Sequence, residues 1–169
     1  PNPRAEFSNC DLMLDYVMNK FQFRELDNPN VYYNEHYRNF VLNHRSTFNS
    51  LAVGLINQGE KEKARQVILK NLEVMPDEGV PYDFTNSQSV GILLELGERE
   101  KAIEIASIIG RRSDEFLNYA HKYNKSFGDE AQRHLVILND LANNLKKYGE
   151  DDLAVEYTEK FQGHYQKMY

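Results

Sequence analysis

The chain is expected to be all-α, with antiparallel helix pairs stacked as a short solenoid behind an N-terminal helical extension. Three observations predict this. All five prolines lie in the first half, and the 88 residues from Tyr82 to Tyr169 contain none, which removes the commonest helix breaker from half the chain. Apolar and aromatic groups at Tyr37, Phe40, Val41, Phe48, Leu51, Ala52, Leu55 and Ile56 follow the i, i+3, i+4, i+7 stripe of an amphipathic helix. The pattern Gly-Glu-x-acid-x-Ala occurs three times, at Gly59, Gly97 and Gly149.

Taken in order, helices are expected over 9–22, 34–57, 60–75, 84–96, 98–110, 113–124, 130–147 and 150–168. Breakers separate them: Asn28-Pro29-Asn30, then Pro76-Asp77-Glu78-Gly79-Val80-Pro81, then Ser126-Phe127-Gly128-Asp129. Gly110 ends the fifth helix in this reading, with Ser113, Asp114 and Glu115 capping the sixth; the alternative is one helix continuing to about Lys125. Each repeated glycine is expected to end one helix in a left-handed conformation, the acids to open the next, and each alanine to allow close helix approach. The glycines are 38 and 52 residues apart, so the period is that of helix-pair repeats, in which neighbours bury a common core. Residues 1–33 then form a helix and linker packed on the array, and 34–169 the array itself, with repeat cores at about 45–76, 83–110 and 135–168.

Composition narrows the function classes. A net charge of -6 and a pI near 5.4 lack the basic excess that phosphate neutralisation needs, so no nucleic-acid partner is expected. No apolar run approaches the ~20 residues of a membrane span, so no direct membrane insertion by this segment is expected. The start, Pro1-Asn2-Pro3-Arg4 without Met, suggests a processed or excised product. Cys10, the single cysteine, cannot form an internal disulfide, and burial explains it better than catalysis. His36 and His44 lie on nearly one helix face but in no metal-binding motif, and are read as structural. The carboxylates are accounted for by solvation and helix polarity, and the glycines occur singly rather than in a phosphate-cradling loop. Neither a catalytic residue, a metal nor a cofactor is expected.

The first repeat resembles the tetratricopeptide repeat through Phe48, Leu51, Ala52, Leu55, Gly59, Ala64, Ile68 and Pro76, with Asn71 where that family has a small residue. The second keeps Leu93, Gly97, Ala102 and Ala106 but has Asn86, Ser89 and Val90 in its first helix. The third keeps Leu138, Leu141, Ala142, Leu145, Gly149 and Ala154, then departs at Thr158 and Phe161. The resemblance implies a non-enzymatic module that binds a protein or peptide segment on a concave face. It places Asn49 and Asn57, Ser87, and Asn139, Asn143, Lys146 and Lys147 on that face. A solvated helix face accounts for the same residues. Asn49 also stands where the family's carboxylate clamp needs a basic group.

A second resemblance spans most of the chain. Asn19-Lys20-Phe21-Gln22-Phe23, Val31-Tyr32, Asn43-His44-Arg45 with Phe48, Met75-Pro76 and Val80-Pro81-Tyr82 look like the C-terminal tail of an uncharacterised family of multi-spanning bacterial membrane proteins. The N-terminal part of that family is similar to glycosyltransferases using lipid-linked donors. The resemblance implies the soluble end of an inner-membrane protein, extracytoplasmic (periplasmic), with a cytoplasmic location as the alternative. The partner can then be intramolecular, the chain's own membrane domain. An alternative function also follows, an accessory domain contacting glycan or acceptor through an aromatic patch of Tyr32, Tyr33 and Tyr37. Tyrosines exposed at the mouth of a pocket would favour that alternative, and tyrosines packed under the first helix would remove it.

Overall fold

A computed structural model describes residues 9–123 and 128–168. The Pro1-Asn2-Pro3-Arg4 start and the Ser126-Phe127 part of the third breaker lie outside the described residues. The described residues form seven α-helices and one π-helical turn, with no strand. The helices are α1 (Cys10–Asp15), α2 (Glu35–Asn57), α3 (Lys61–Val74), α4 (Phe84–Glu95), α5 (Arg99–Lys122), α6 (Asp129–Lys147) and α7 (Asp151–Met168). The chain divides into two compact units, Pro1–Thr85 and Asn86–Tyr169.

In the N-terminal unit Asn9 caps α1, its side chain accepting from Leu12 N at 3.0 Å. The first helix is shorter than expected. After Asp15 it widens into a π-helical turn, Tyr16–Lys20, closed by Phe21 N donating to Tyr16 O at 2.8 Å. The wider turn ends the helix, and Phe21 leaves it in an extended conformation. Asn34 caps α2, accepting from Tyr37 N at 3.1 Å. Helix α2 packs on both α1 and α3, burying Phe48, Leu51, Ala52 and Leu55 with Ala64, Val67 and Ile68 of α3. Gly54 lets α1 approach closely, because a Cβ there would lie 2.9 Å from the buried Cys10 sulfur. The burial expected of Cys10 is found.

The C-terminal unit is built from longer helices. α5 packs on α6 and α7, and α6 on α7, around Ile105, Ile109, Leu117, Leu138, Leu141, Leu145 and Tyr157. The expected break near Gly110 is absent, and α5 runs unbroken through Arg99–Lys122. The residues that suggested a cap and a stop serve packing instead. A Cβ on Gly110 would lie 2.3 Å from the Tyr157 ring, so the glycine admits that ring, whose hydroxyl donates to Ala106 O at 3.0 Å. Ser113 is buried and its Oγ lies 3.0 Å from His134 Nδ1 on α6.

The three glycine corners share one geometry. Gly59, Gly97 and Gly149 have φ of 81°, 80° and 82°. In each corner the following glutamate N–H donates at 2.9 Å to a leucine carbonyl five residues earlier, Leu55, Leu93 or Leu145. That is the six-to-one bond of a Schellman motif. The alanine of each repeat, Ala64, Ala102 and Ala154, is buried as expected. The acids open the next helix as expected, with Glu62, Glu100, Asp151 and Asp152 in first turns; Glu60 and Glu98 occupy the cap position without a side-chain hydrogen bond to the helix.

Candidate functional site

The N-terminal unit is organised by a buried guanidinium. Arg45 of α2 is 0% exposed. Its Nη2 donates to Met75 O at 3.1 Å and to Val80 O at 2.6 Å. Its Nη1 donates to Pro81 O at 3.0 Å and to Asp83 Oδ2 at 2.9 Å. One side chain thereby satisfies three carbonyls of an irregular loop. Burial lowers the Arg45 pKa, and Asp83 opposes that shift.

The short motifs scattered through this half converge on the same place. His44 meets Phe21 and Phe23 edge-on, Phe23 packs on Phe48, and the Arg45 guanidinium lies over the Tyr82 ring. His44 is thus held in an aromatic cluster while His36 is exposed.

Next to this hub lies an open pocket of about 220 Å³ lined by residues 29–33, Arg38 and residues 79–81. Its far wall is the loop that Arg45 holds. Gly79 is required there, since a Cβ would sit 2.0 Å from Leu26 O. Its near wall carries Tyr32 and Tyr33 of the predicted aromatic patch, while Tyr37 is not among the lining residues. Tyr32 is 83% exposed and Tyr37 is also exposed, while Tyr33 is half-buried. Arg38 is ordered by its Nε, which donates to Tyr33 O at 3.2 Å. The Tyr33 hydroxyl has its pKa raised by burial and by the carboxylates of Glu25 and Asp27. The pocket therefore offers one exposed and one half-buried tyrosine and a guanidinium against backbone edges. Such a surface can stack on a flat or aliphatic group and hydrogen-bond a polar one. Arg38 was not singled out from sequence; its place beside the tyrosine run was the available signal.

The residues expected on a concave face divide into two sets. Asn49 is 0% exposed and its amide donates to Thr85 O at 2.9 Å. Its Oδ1 lies 3.5 Å from Asn71 Nδ2. The expectation that Asn49 faces a ligand is corrected by this burial. Ser87 is likewise enclosed, 1% exposed, its Oγ donating to Asp140 Oδ2 at 3.3 Å. Its carbonyl accepts from Asn144 Nδ2 at 3.1 Å. Burial raises the Asp140 pKa, which the Ser87 hydrogen bond opposes.

Asn57, Asn143, Lys146 and Lys147 are exposed, and Asn139 is half-buried. On α6, Lys147 Nζ donates to Tyr148 Oη at 2.8 Å, and that hydroxyl donates to Glu95 Oε2 of α4 at 2.7 Å. The exposed set on α6 is a polar stripe of Asn143, Lys146 and Lys147, flanked by the half-buried Asn139.

These features define an all-helical protein with one aromatic pocket and one polar helix stripe on its described surface. No family model matches the chain, and neither a curated protein nor a solved structure gives a significant match.

Proposed function

We propose that the chain is a non-enzymatic interaction module of the tetratricopeptide-like kind, the soluble tail of a membrane protein, which binds a protein or peptide segment. The observation that carries this reading is the identity of the three glycine corners in dihedral angle and hydrogen bonding. Repeated helix pairs joined by one kind of corner are how solenoid modules present a long face to a partner. The approach of α4 to α6 through Gly91 and Asn144 supports stacking of successive first helices, a Cβ on Gly91 lying 2.8 Å from Asn144 Oδ1. Among the described residues no helix is long and apolar enough to cross a membrane. In this reading the segment lies outside the bilayer, on the periplasmic side, with the cytoplasm as the alternative. Asn143, Lys146 and Lys147 are its contact groups.

A second reading has its own observation. Tyr32 and Tyr37 are exposed and Tyr32 lines a pocket, as expected of an accessory domain that contacts glycan or acceptor.

Peptide and oligosaccharide arrays probed with the chain and with two variants separate the readings. The module reading expects peptide signals that fall about tenfold or more in Asn143→Ala/Lys146→Ala, since removing contact groups at the centre of an interface costs that much. Oligosaccharide signals abolished by Tyr32→Ala and untouched by the α6 changes would replace it with the second reading.

A further inference from the structure

The pocket of the N-terminal unit is held open by the protein itself. On its far wall Arg45 bonds Val80 O and Pro81 O, and Gly79 lets the loop close on Leu26 O. On its near wall Asn28 fixes the chain, its carbonyl accepting from Val31 N at 3.2 Å and its side chain from Asn30 N at 2.9 Å. A pocket fixed from both sides loses little freedom when a ligand binds.

One cation in it keeps donors free. Arg38 gives its Nε to Tyr33 O, and among the described residues its two Nη groups meet neither a carboxylate nor a carbonyl. A guanidinium ordered at Nε and open at both Nη groups is a fork for a carboxylate. Around it the lining is largely aliphatic, from Pro29, Val31, Val80 and Pro81. The carbonyls of Val80 and Pro81 are already engaged by Arg45, which leaves few fixed acceptors for the hydroxyls of a sugar. A volume of about 220 Å³, below the ~300–1,000 Å³ of sites for drug-sized ligands, suits one residue-sized group. A carboxylate and an apolar side chain on neighbouring atoms are what the last residue of a peptide presents.

We propose that this pocket captures the C-terminal residue of a peptide, its carboxylate on the Nη groups of Arg38 and its apolar side chain against Pro29, Val31 and Pro81. The proposal rests on the peptide-binding reading above and gives it an end-specific site. Asn49, further along the same helix, is buried and cannot serve that purpose. Two charges work against an anion here: the carboxylates of Glu25 and Asp27, which after burial itself raise the Tyr33 pKa. A single residue therefore binds weakly, with Kd of about 1 mM.

The probe is N-acetyl-alanyl-leucine, titrated as free acid and as amide into the chain and followed by NMR shifts of backbone amides. The free acid should move residues 30–33, 38, 79 and 80 saturably, and the amide should bind about tenfold more weakly or worse, because it lacks the charge. Arg38→Gln should weaken the free acid about tenfold; the residue is exposed, so the melting temperature should hold. Asp27→Asn should tighten binding about twofold at low ionic strength. Equal binding of acid and amide, full binding in Arg38→Gln, or no saturation up to about 10 mM would each overturn the proposal. The acid and amide comparison uses the unaltered chain, so it decides the matter even where a variant misfolds. Array peptides that lose binding in Asn143→Ala/Lys146→Ala yet ignore Arg38→Gln and terminal amidation would leave the module reading standing and remove this site. Glucuronate seated on the same residues in place of the free acid would overturn it in favour of the second reading.

Discussion

The two units solve the same packing problem with different chemistry. The N-terminal unit has helices of 6, 23 and 14 residues and the long connections 21–34 and 75–83. Its centre is correspondingly polar, with Arg45 holding three loop carbonyls and Asp83, and Asn49 paired with Asn71. The helices of the C-terminal unit include stretches of 24, 19 and 18 residues whose backbones satisfy themselves. There an apolar centre encloses a few polar side chains, Ser87, Ser113 and His164 among them, and small residues such as Gly110 set how closely helices approach. Irregular backbone inside a protein demands side-chain donors, and regular backbone frees the interior for shape.

The sharpest break in that comparison is Arg45→Ala. It strands three carbonyls and removes the guanidinium paired with Asp83, and should cost about 3–5 kcal/mol. Arg45→Met should rescue little, because an apolar side chain cannot bond the carbonyls. Chemical denaturation of both variants checks this, and a well-tolerated Met would show that the loop finds other donors.

In the C-terminal unit the corresponding break is steric. Gly110→Ala places a Cβ inside the Tyr157 ring position and displaces its hydrogen bond to Ala106 O, at a cost of about 2–3 kcal/mol. The same melts should show Tyr157→Phe milder than Gly110→Ala, since the phenylalanine loses the bond but keeps the packing.

The smallest effect is set by pH. His134 stacks on Phe116, and burial, helped by the charge of Arg112, lowers its pKa to about 4. The unfolded chain, with an ordinary histidine near 6.5, binds more protons in the window between those values, so stability is full above about pH 6.5 and falls as pH drops towards 4. The loss attributable to this residue is about 2 kcal/mol after allowance for its partial exposure. Stability measured against pH for His134→Gln should be flatter over that window. Equal slopes would show that other groups carry the acid sensitivity.

Much of the helical framework was legible in the sequence because the corners are local. Left-handed glycine, the leucine four residues before it and the alanine five after it lie within ten residues, so pattern alone reveals them. The continuity of α5 was not legible. Gly110 and Ser113 look like stop and cap until their partners Tyr157 and His134 are known, and those partners are distant in sequence. Among the candidate contact residues, Asn143, Lys146 and Lys147 are exposed. Asn49 and Ser87 are enclosed because their partners, Thr85 with Asn71 and Asp140 with Asn144, come from other helices. Tyr32 and Arg38 line one pocket only because residues 79–81, held from α2 by Arg45, close its far side.

The three glycine corners carry one more consequence. Each is assembled from main-chain groups, and the glutamates at Glu60 and Glu98 contribute no capping side chain. The shared string Leu-x-x-x-Gly-Glu-x-x-x-Ala thus works as a portable connector. Grafted between two unrelated amphipathic helices, it should set the angle at which they fold back on each other, which makes it a reusable part for assembling helical scaffolds of chosen length.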